Sequence, residues 1–350
     1  MLAIVMDVHS SMSTAYAVAT DPMDAAERDM AEGLNRSFKK FPSNYSGMKK
    51  LSDYLDGYEH CILIENSTKT HEVFWILNDL ECNVMVAYSA DLYRITKSVK
   101  KTDSHDSMEL AHYMRRRING EIEFSECLMV DRKWMNRRQL CRIYVQESEE
   151  LSNTRRQIRS CMLLRGIKLE SASRDIVSKR AISELKNNDD LALKLLISRA
   201  EDMLKRRNVI LKMIRDEFGD DEYFNILITI PGFGPISAAY FSSMIVDIDR
   251  FNKISEFSAY FGIVPKQMES AGIEHAKGIT RRGDERARNL LTQTTFVHIY
   301  NDRDRESSIS RMYDRLLSRG FPHKKAITAC ANKMTKVVYG MLKRGESYRF

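Results

Sequence analysis

Long apolar runs are missing from this chain of 350 residues. Nowhere do about 18 apolar residues stand together, as a membrane-spanning helix requires, so no membrane partner is expected. Proline is scarce, with six residues in all and none between 131 and 215, so nothing there interrupts a long helix. Cysteine is sparse and scattered. Cys61, Cys82, Cys127, Cys141, Cys161 and Cys330 include no Cys-x-x-Cys pair, which argues against a disulfide framework or a cysteine zinc site and for buried free thiols. The opening Leu2–Met6 run has no basic segment before it and meets an acid at Asp7, unlike a secretory signal, so a cytoplasmic location is expected. Fixed-period repeats and low-complexity segments are also lacking.

What is present suits a well-packed chain, with 43% hydrophobic and 29% charged residues. Its length favours more than one folded unit. The net charge of +7 is unevenly spread: residues 251–350 carry 19 Lys and Arg against 10 Asp and Glu, leaving the preceding residues slightly acidic. A localised basic surface suits a polyanion, because each neutralised phosphate releases counterions. Plain solvation is the other reading of such a surplus.

Apolar runs at Leu2–Met6 and Thr14–Ala19, separated by a serine-rich break, predict a β-hairpin. A helix over 46–57, a buried strand over Cys61–Glu65, a helix near 70–81 and a strand over Asn83–Ala87 continue an α/β alternation through about residue 125. The stretches 131–165 and 174–217 are dense in Lys, Arg, Glu, Leu and Met and predict long paired helices. Leu140, Ile143, Tyr144, Leu151 and Ile158 recur at helical spacing and form a candidate seam. The expected organisation is an α/β domain over 1–130, a helical coiled-coil hairpin over 131–217 and a mostly helical domain over 218–350.

Three constellations bear on chemistry. Asp7 and Glu65 end apolar strands, while Asp103 and Asp106 lie three apart in Lys101-Thr-Asp-Ser-His-Asp, at the start of a helix running to about Met114. Hard oxygen ligands converging from strand ends suit Mg²⁺ or Mn²⁺, and a metal pair can stabilise both oxygens of a phosphodiester transfer. Helix capping by Asp103 is an equally open reading of that pair. The second constellation is Pro231-Gly-Phe-Gly-Pro-Ile-Ser-Ala-Ala239, where Gly232 and Gly234 precede a small-residue helix whose amides can grip a phosphate. A tight helix–helix connection also explains those glycines. The third is the run Ser255–Arg288, whose Lys277, Arg281, Arg282, Arg286 and Arg288 suit a nucleic-acid backbone. A loop serine among small residues, Ser270, can reach a phosphorus atom there, although the chemistry alone does not single it out.

Together these motifs resemble the IS one-ten family of insertion-sequence transposases, to which the Piv-type DNA invertases are related. The resemblance rests on Asp7-Val-His, Glu65 after a strand, Lys-Thr-Asp103-x-x-Asp106, Ile-Pro-Gly-x-Gly234, Tyr260-Phe-Gly-Ile-x-Pro265, Ser270, and Ile279-Thr-Arg-Arg-Gly283, in that order. It implies a RuvC/RNase H-like N-terminal domain, with Asp7, Glu65, Asp103 and Asp106 as its metal ligands and catalytic carboxylates. Ser270 falls in register with the family's serine nucleophile. Donor and target DNA as partners, a structured element-encoded guide RNA, and a homodimer or homotetramer are further implications. Two other functions fit the same residues: a metal-dependent junction nuclease that hydrolyses DNA with water, and a catalytically inactive nucleic-acid-binding protein.

Overall fold

The computed structural model describes residues 1–88, 92, 103–169, 175–264, 269–270, 273–274, 279 and 283–349; of 103–106, 269–270 and 273–274 it describes the backbone alone. The chain divides into two compact units, Met1–Met129 and Val130–Phe350. Among the described residues no helix is long and apolar enough to cross a membrane.

The first unit is built on a five-stranded mixed sheet of order β3-β2-β1-β4-β5. The apolar opening residues form β1 (Leu2–Val8), and after a short break β2 (Met12–Ala19) returns antiparallel to it, giving the expected hairpin. Next come α1 (Ala25–Ser37), β3 (Phe41–Pro42) and α2 (Tyr45–Leu55). The strands β4 (His60–Glu65) and β5 (Val84–Ala87) flank α3 (Thr70–Asp79) and extend the sheet in parallel from β1. The last helix is α4 (Asp103–Ile118). Side chains alternate across a strand, so each strand feeds two cores. Leu2, Ile4, Met6, Ile62 and Ile64 pack with Leu34, Met48, Leu51 and Val73 of the first three helices. Ala3, Val5, Cys61 and Leu63 pack on the opposite face with Leu110, Ala111 and Met114 of α4.

The second unit is almost wholly helical. A 33-residue helix, α5 (Arg132–Leu164), starts at Asp131, whose side chain accepts from the Trp134 amide. It is followed by α6 (Lys179–Lys186) and α7 (Leu191–Phe218). The expected single stretch over 174–217 is therefore two helices, because Ser178 and Asp190 each cap a new start. The proposed seam also divides. Leu151 and Ile158 pack against Leu193, Ile197, Ala200 and Met203 of α7, whereas Leu140 and Tyr144 pack on a separate C-terminal core. Ile143 belongs to neither and is 40% exposed, because one α-helical stripe cannot face two cores at once.

That C-terminal core is aromatic and methionine-rich, with Phe218, Tyr240, Phe241, Phe257, Phe261 and Met334 all buried. It is enclosed by α8 (Glu222–Leu227), α9 (Pro235–Ile245), α10 (Ile254–Tyr260), α11 (Glu285–Asn301), α12 (Ser308–Ser318) and α13 (His323–Arg344). Between α10 and α11 runs a two-stranded ladder, β6 (Glu269–Ser270) and β7 (Ile273–Glu274).

Candidate functional site

In the first unit, β1 and β4 run parallel with Met6 opposite Ile64, so the next residues, Asp7 one before the end of β1 and Glu65 at the end of β4, lie at the same level. Asp7 follows Val5 by two and Glu65 follows Leu63 by two, which puts both carboxylates on the face that carries α4. Asp7 accepts from or pairs with His9 Nε2 at 3.1 Å, and Glu65 is exposed. Asp103 opens α4 and Asp106 lies one turn on. Their side chains fall outside the described residues, among which no three His, Cys, Asp or Glu side chains form a metal-sized cluster. The chemistry of Asp7 and Glu65, two carboxylates on adjoining strands, fits a hard divalent cation.

In the second unit the Gly-rich turn is held from behind. Gly232 has φ +100° and lies so close to α11 that a Cβ would sit 2.6 Å from the Thr294 carbonyl and 2.8 Å from the His298 amide. Both the backbone angle and the packing therefore require glycine. Gly234 differs. Nothing lies within 4 Å of where its Cβ would be, and it begins α9 without a side-chain cap, so that helix start is the open side of the turn.

His298 is the fastening. Its Nδ1 donates to the Pro231 carbonyl at 2.9 Å, which leaves Nε2 to accept from the Ser307 hydroxyl at 2.9 Å. Burial lowers the pKa of His298 below the usual histidine value, against the opposing effects of the Pro231 bond and Asp302. Asp302 accepts from the amides of Glu306 and Ser307, both at 3.0 Å. Burial pushes its carboxyl up, but the Ser310 hydroxyl and those amides bring it below the ordinary carboxylate range. Neither His298 nor Asp302 was selected from the sequence. The available signal was faint: His298 lies in the mixed Phe296-Val-His-Ile-Tyr300 stretch, and Asp302 follows at the end of the helix.

The run expected to hold the nucleophile is pinned at its downstream end. Gly283 has φ +79°, and a Cβ there would meet the Tyr260 carbonyl at 2.3 Å. The Tyr240 hydroxyl donates to both oxygens of Asp284 at 3.1 Å, while Asp284 accepts from the Ala287 amide at 2.9 Å and so starts α11. Burial and the Asp284 carboxylate raise the pKa of Tyr240, keeping it a donor. Ser270 pairs with Ile273 in the short ladder, and its side chain lies outside the described residues, as do Lys277, Arg281 and Arg282. Arg286 pairs with Glu149 at 3.6 Å, and Arg288 donates to the Gly283 carbonyl at 3.0 Å.

Residues 224–309, which span the Gly-rich turn, the ladder, α11 and Ser307, match the family model described as transposase IS116/IS110/IS902 family. Over this segment the chain is thus similar to the transposases of the IS116/IS110/IS902 family. Its relatives include a transposase for insertion sequence element IS1328 of Yersinia enterocolitica, 28% identical over 38% of this chain and 39% of that protein. A transposase for insertion sequence element IS1111A of Coxiella burnetii is 32% identical over 35% of this chain and 33% of its own length. A putative transposase of Sinorhizobium fredii is 34% identical over 37% and 33% respectively. The chain thus spans about a third to two fifths of the length of these curated relatives. The segment matching the IS110-family model contains the buried His298 and Ser307 and excludes the carboxylate face of the first unit.

Proposed function

We propose that this chain is a DNA recombinase that cuts and rejoins DNA through a serine-linked intermediate. The match of residues 224–309 to the transposase family carries the reading, because it covers Ser270 and the Gly-rich turn. The parallel strand ends bearing Asp7 and Glu65 support a RuvC/RNase H-like first unit, in which these two residues with Asp103 and Asp106 would hold Mg²⁺ or Mn²⁺. When bound, such a cation supplies charge stabilisation to the attacking and leaving oxygens of a phosphodiester. Ser270 acts by covalent catalysis: its oxygen forms a bond to phosphorus, a sugar oxygen leaves, and the serine proton ends on that sugar hydroxyl. Attack by a second sugar hydroxyl reverses these changes and releases the serine with the strand rejoined. The open helix start at Gly234 and the arginines after Gly278 serve to hold the DNA backbone. Donor and target DNA, a structured guide RNA from the same mobile element and a dimeric or tetrameric assembly complete the reading.

Trapping on labelled element-end DNA with Mg²⁺ tests it. The wild type is expected to give a denaturant-resistant protein–DNA adduct, and Ser270→Ala none, with binding retained. Asp7→Asn should lower strand cleavage by on the order of 10²-fold or more. Adduct formation by Ser270→Ala would exclude the serine, and cleavage without any adduct would favour a hydrolytic junction nuclease.

A further inference from the structure

A cleft of about 620 Å³ opens inside the second unit, walled by α5, α7 and α11, with Ile236 of α9 at its edge. Four arginines line it, Arg155, Arg156, Arg207 and Arg286, against a single acid, Glu149. Three of them are steered by neutral or weak partners: Arg156 donates to Asn153, Arg207 donates to the Tyr144 hydroxyl at 3.0 Å, and Arg286 reaches Glu149 only at 3.6 Å. Arg155 is held by Asp175 at 3.2 Å. The Nε–H groups of Arg155 and Arg207 are both buried and find no acceptor among the described residues. Leaving a buried donor unpaired is unfavourable, so an oxygen arriving in this cleft would be stabilising.

We infer that this arginine-lined cleft binds the phosphodiester backbone of a single nucleic-acid strand; the inference rests on the nucleic-acid reading above. Guanidinium forks match phosphate oxygens bidentately, and this excess of positive charge disfavours a cationic occupant. The remaining lining mixes uncharged hydrogen-bonding groups, including Ser148, Asn289 and Gln293, with the apolar Val145, Ile236 and Leu290, which suits sugars and bases. The volume lies in the range that encloses a small molecule, so the cleft takes roughly one nucleotide at a time and excludes a duplex. It also adjoins the start of α9, whose uncapped amides follow Gly234, so a strand leaving the cleft meets a second phosphate-binding element.

Fluorescence anisotropy over a salt series, with labelled single-stranded DNA and RNA of one sequence and about 15 nucleotides, tests this. The wild type is compared with Arg156→Gln, Arg207→Gln, the double variant, and Lys212→Gln as a charge-matched control on α7 outside the cleft. Each cleft substitution should weaken binding and reduce the slope of log affinity against log salt by about 0.7, and the double variant should lose on the order of tenfold, while Lys212→Gln changes little. Equal losses on DNA and RNA assign the site to backbone phosphate; a loss confined to one polymer names the strand it takes. Arg156 is exposed, so its variant tests the cleft even if Arg207→Gln fails to fold. Binding that is tight in the wild type and unaltered in the variants overturns the cleft alone and would suit an acidic peptide as its occupant. Failure of the wild type to bind either polymer overturns the recombinase reading as well.

Discussion

His298 lies at the centre of the second unit with no exposed surface, yet it makes polar contacts with the Gly-rich turn, the start of α12 through Ser307, and Tyr348 near the C-terminal end. A neutral ring satisfies these contacts: one nitrogen donates and the other accepts. Its folded pKa lies below the unfolded value of about 6.5, so the unfolded chain takes up a proton first as pH falls. The stability this group contributes is therefore complete above about pH 6.5 and is lost as pH drops from there toward the lower folded pKa. Thermal midpoints measured between about pH 7 and pH 5 should fall in the wild type and fall less steeply in His298→Gln. Equal slopes for the two proteins would refute the assignment. The sequence shows why this residue escaped notice: His298 has no motif around it, and its partner Pro231 is distant along the chain. Gly232 was legible as special, but as an element of an open turn; that its α-carbon abuts Thr294 depends on how α11 packs.

At the scale of elements, periodicity fixed most helices and strands because their apolar faces are long and regular. The hairpin β1–β2, the strands β4 and β5 and the helices α2, α3, α4 and α9 all lie within a few residues of their expected positions. Helix α1 was not foreseen, since it buries only Ala31 and Leu34 and carries Gly33 in its interior. The start of α8 shows how one polar residue joins elements. Asp221 accepts from the Phe224 amide at 2.7 Å, from the Ser242 hydroxyl of α9 at 2.5 Å, and from Arg137 of α5 at 3.3 Å. Arg137 is only 5% exposed and is stacked between the rings of Trp134 and Phe218, each 4.7 Å away. Asp221→Ala removes a helix cap and leaves that buried guanidinium only the more distant, exposed carboxylate of Glu217 at 3.9 Å, which should cost about 3 kcal/mol. Asp221→Asn keeps the cap and should cost less; urea denaturation of both variants decides, and equal losses would show that the charge contributes nothing.

At the scale of the whole molecule, each unit has its own cores among the described residues: the two sheet-face cores are built from Met1–Met129, and the hairpin and aromatic cores from Val130–Phe350. A core of one's own is the condition for independent folding. Residues 1–129 expressed alone should retain a cooperative melt and a mixed α/β circular dichroism spectrum, and loss of both would show that the second unit is needed for the first to fold. The separation also limits what sequence could reveal of the candidate site. Asp7 and Glu65 become neighbours through strand register inside one unit, which the apolar runs ending in carboxylates announced. The arginine cleft joins positions 155, 156, 207 and 286, brought together only when three helices pack, and no linear spacing encodes that.

The thiols offer a consequence for experiment. Cys61, Cys82, Cys141, Cys161 and Cys330 are buried, and burial pushes Cys61 and Cys330 up to about 11 and Cys141 up to about 12. Thiolate is the reactive form, so maleimide at neutral pH is slow at these sites. Cys127, the one cysteine of intermediate exposure, is then the natural point for attaching a dye. It falls in the first unit, three positions before the boundary with the second. The native chain can thus carry a reporter of unit rearrangement without any engineered cysteine.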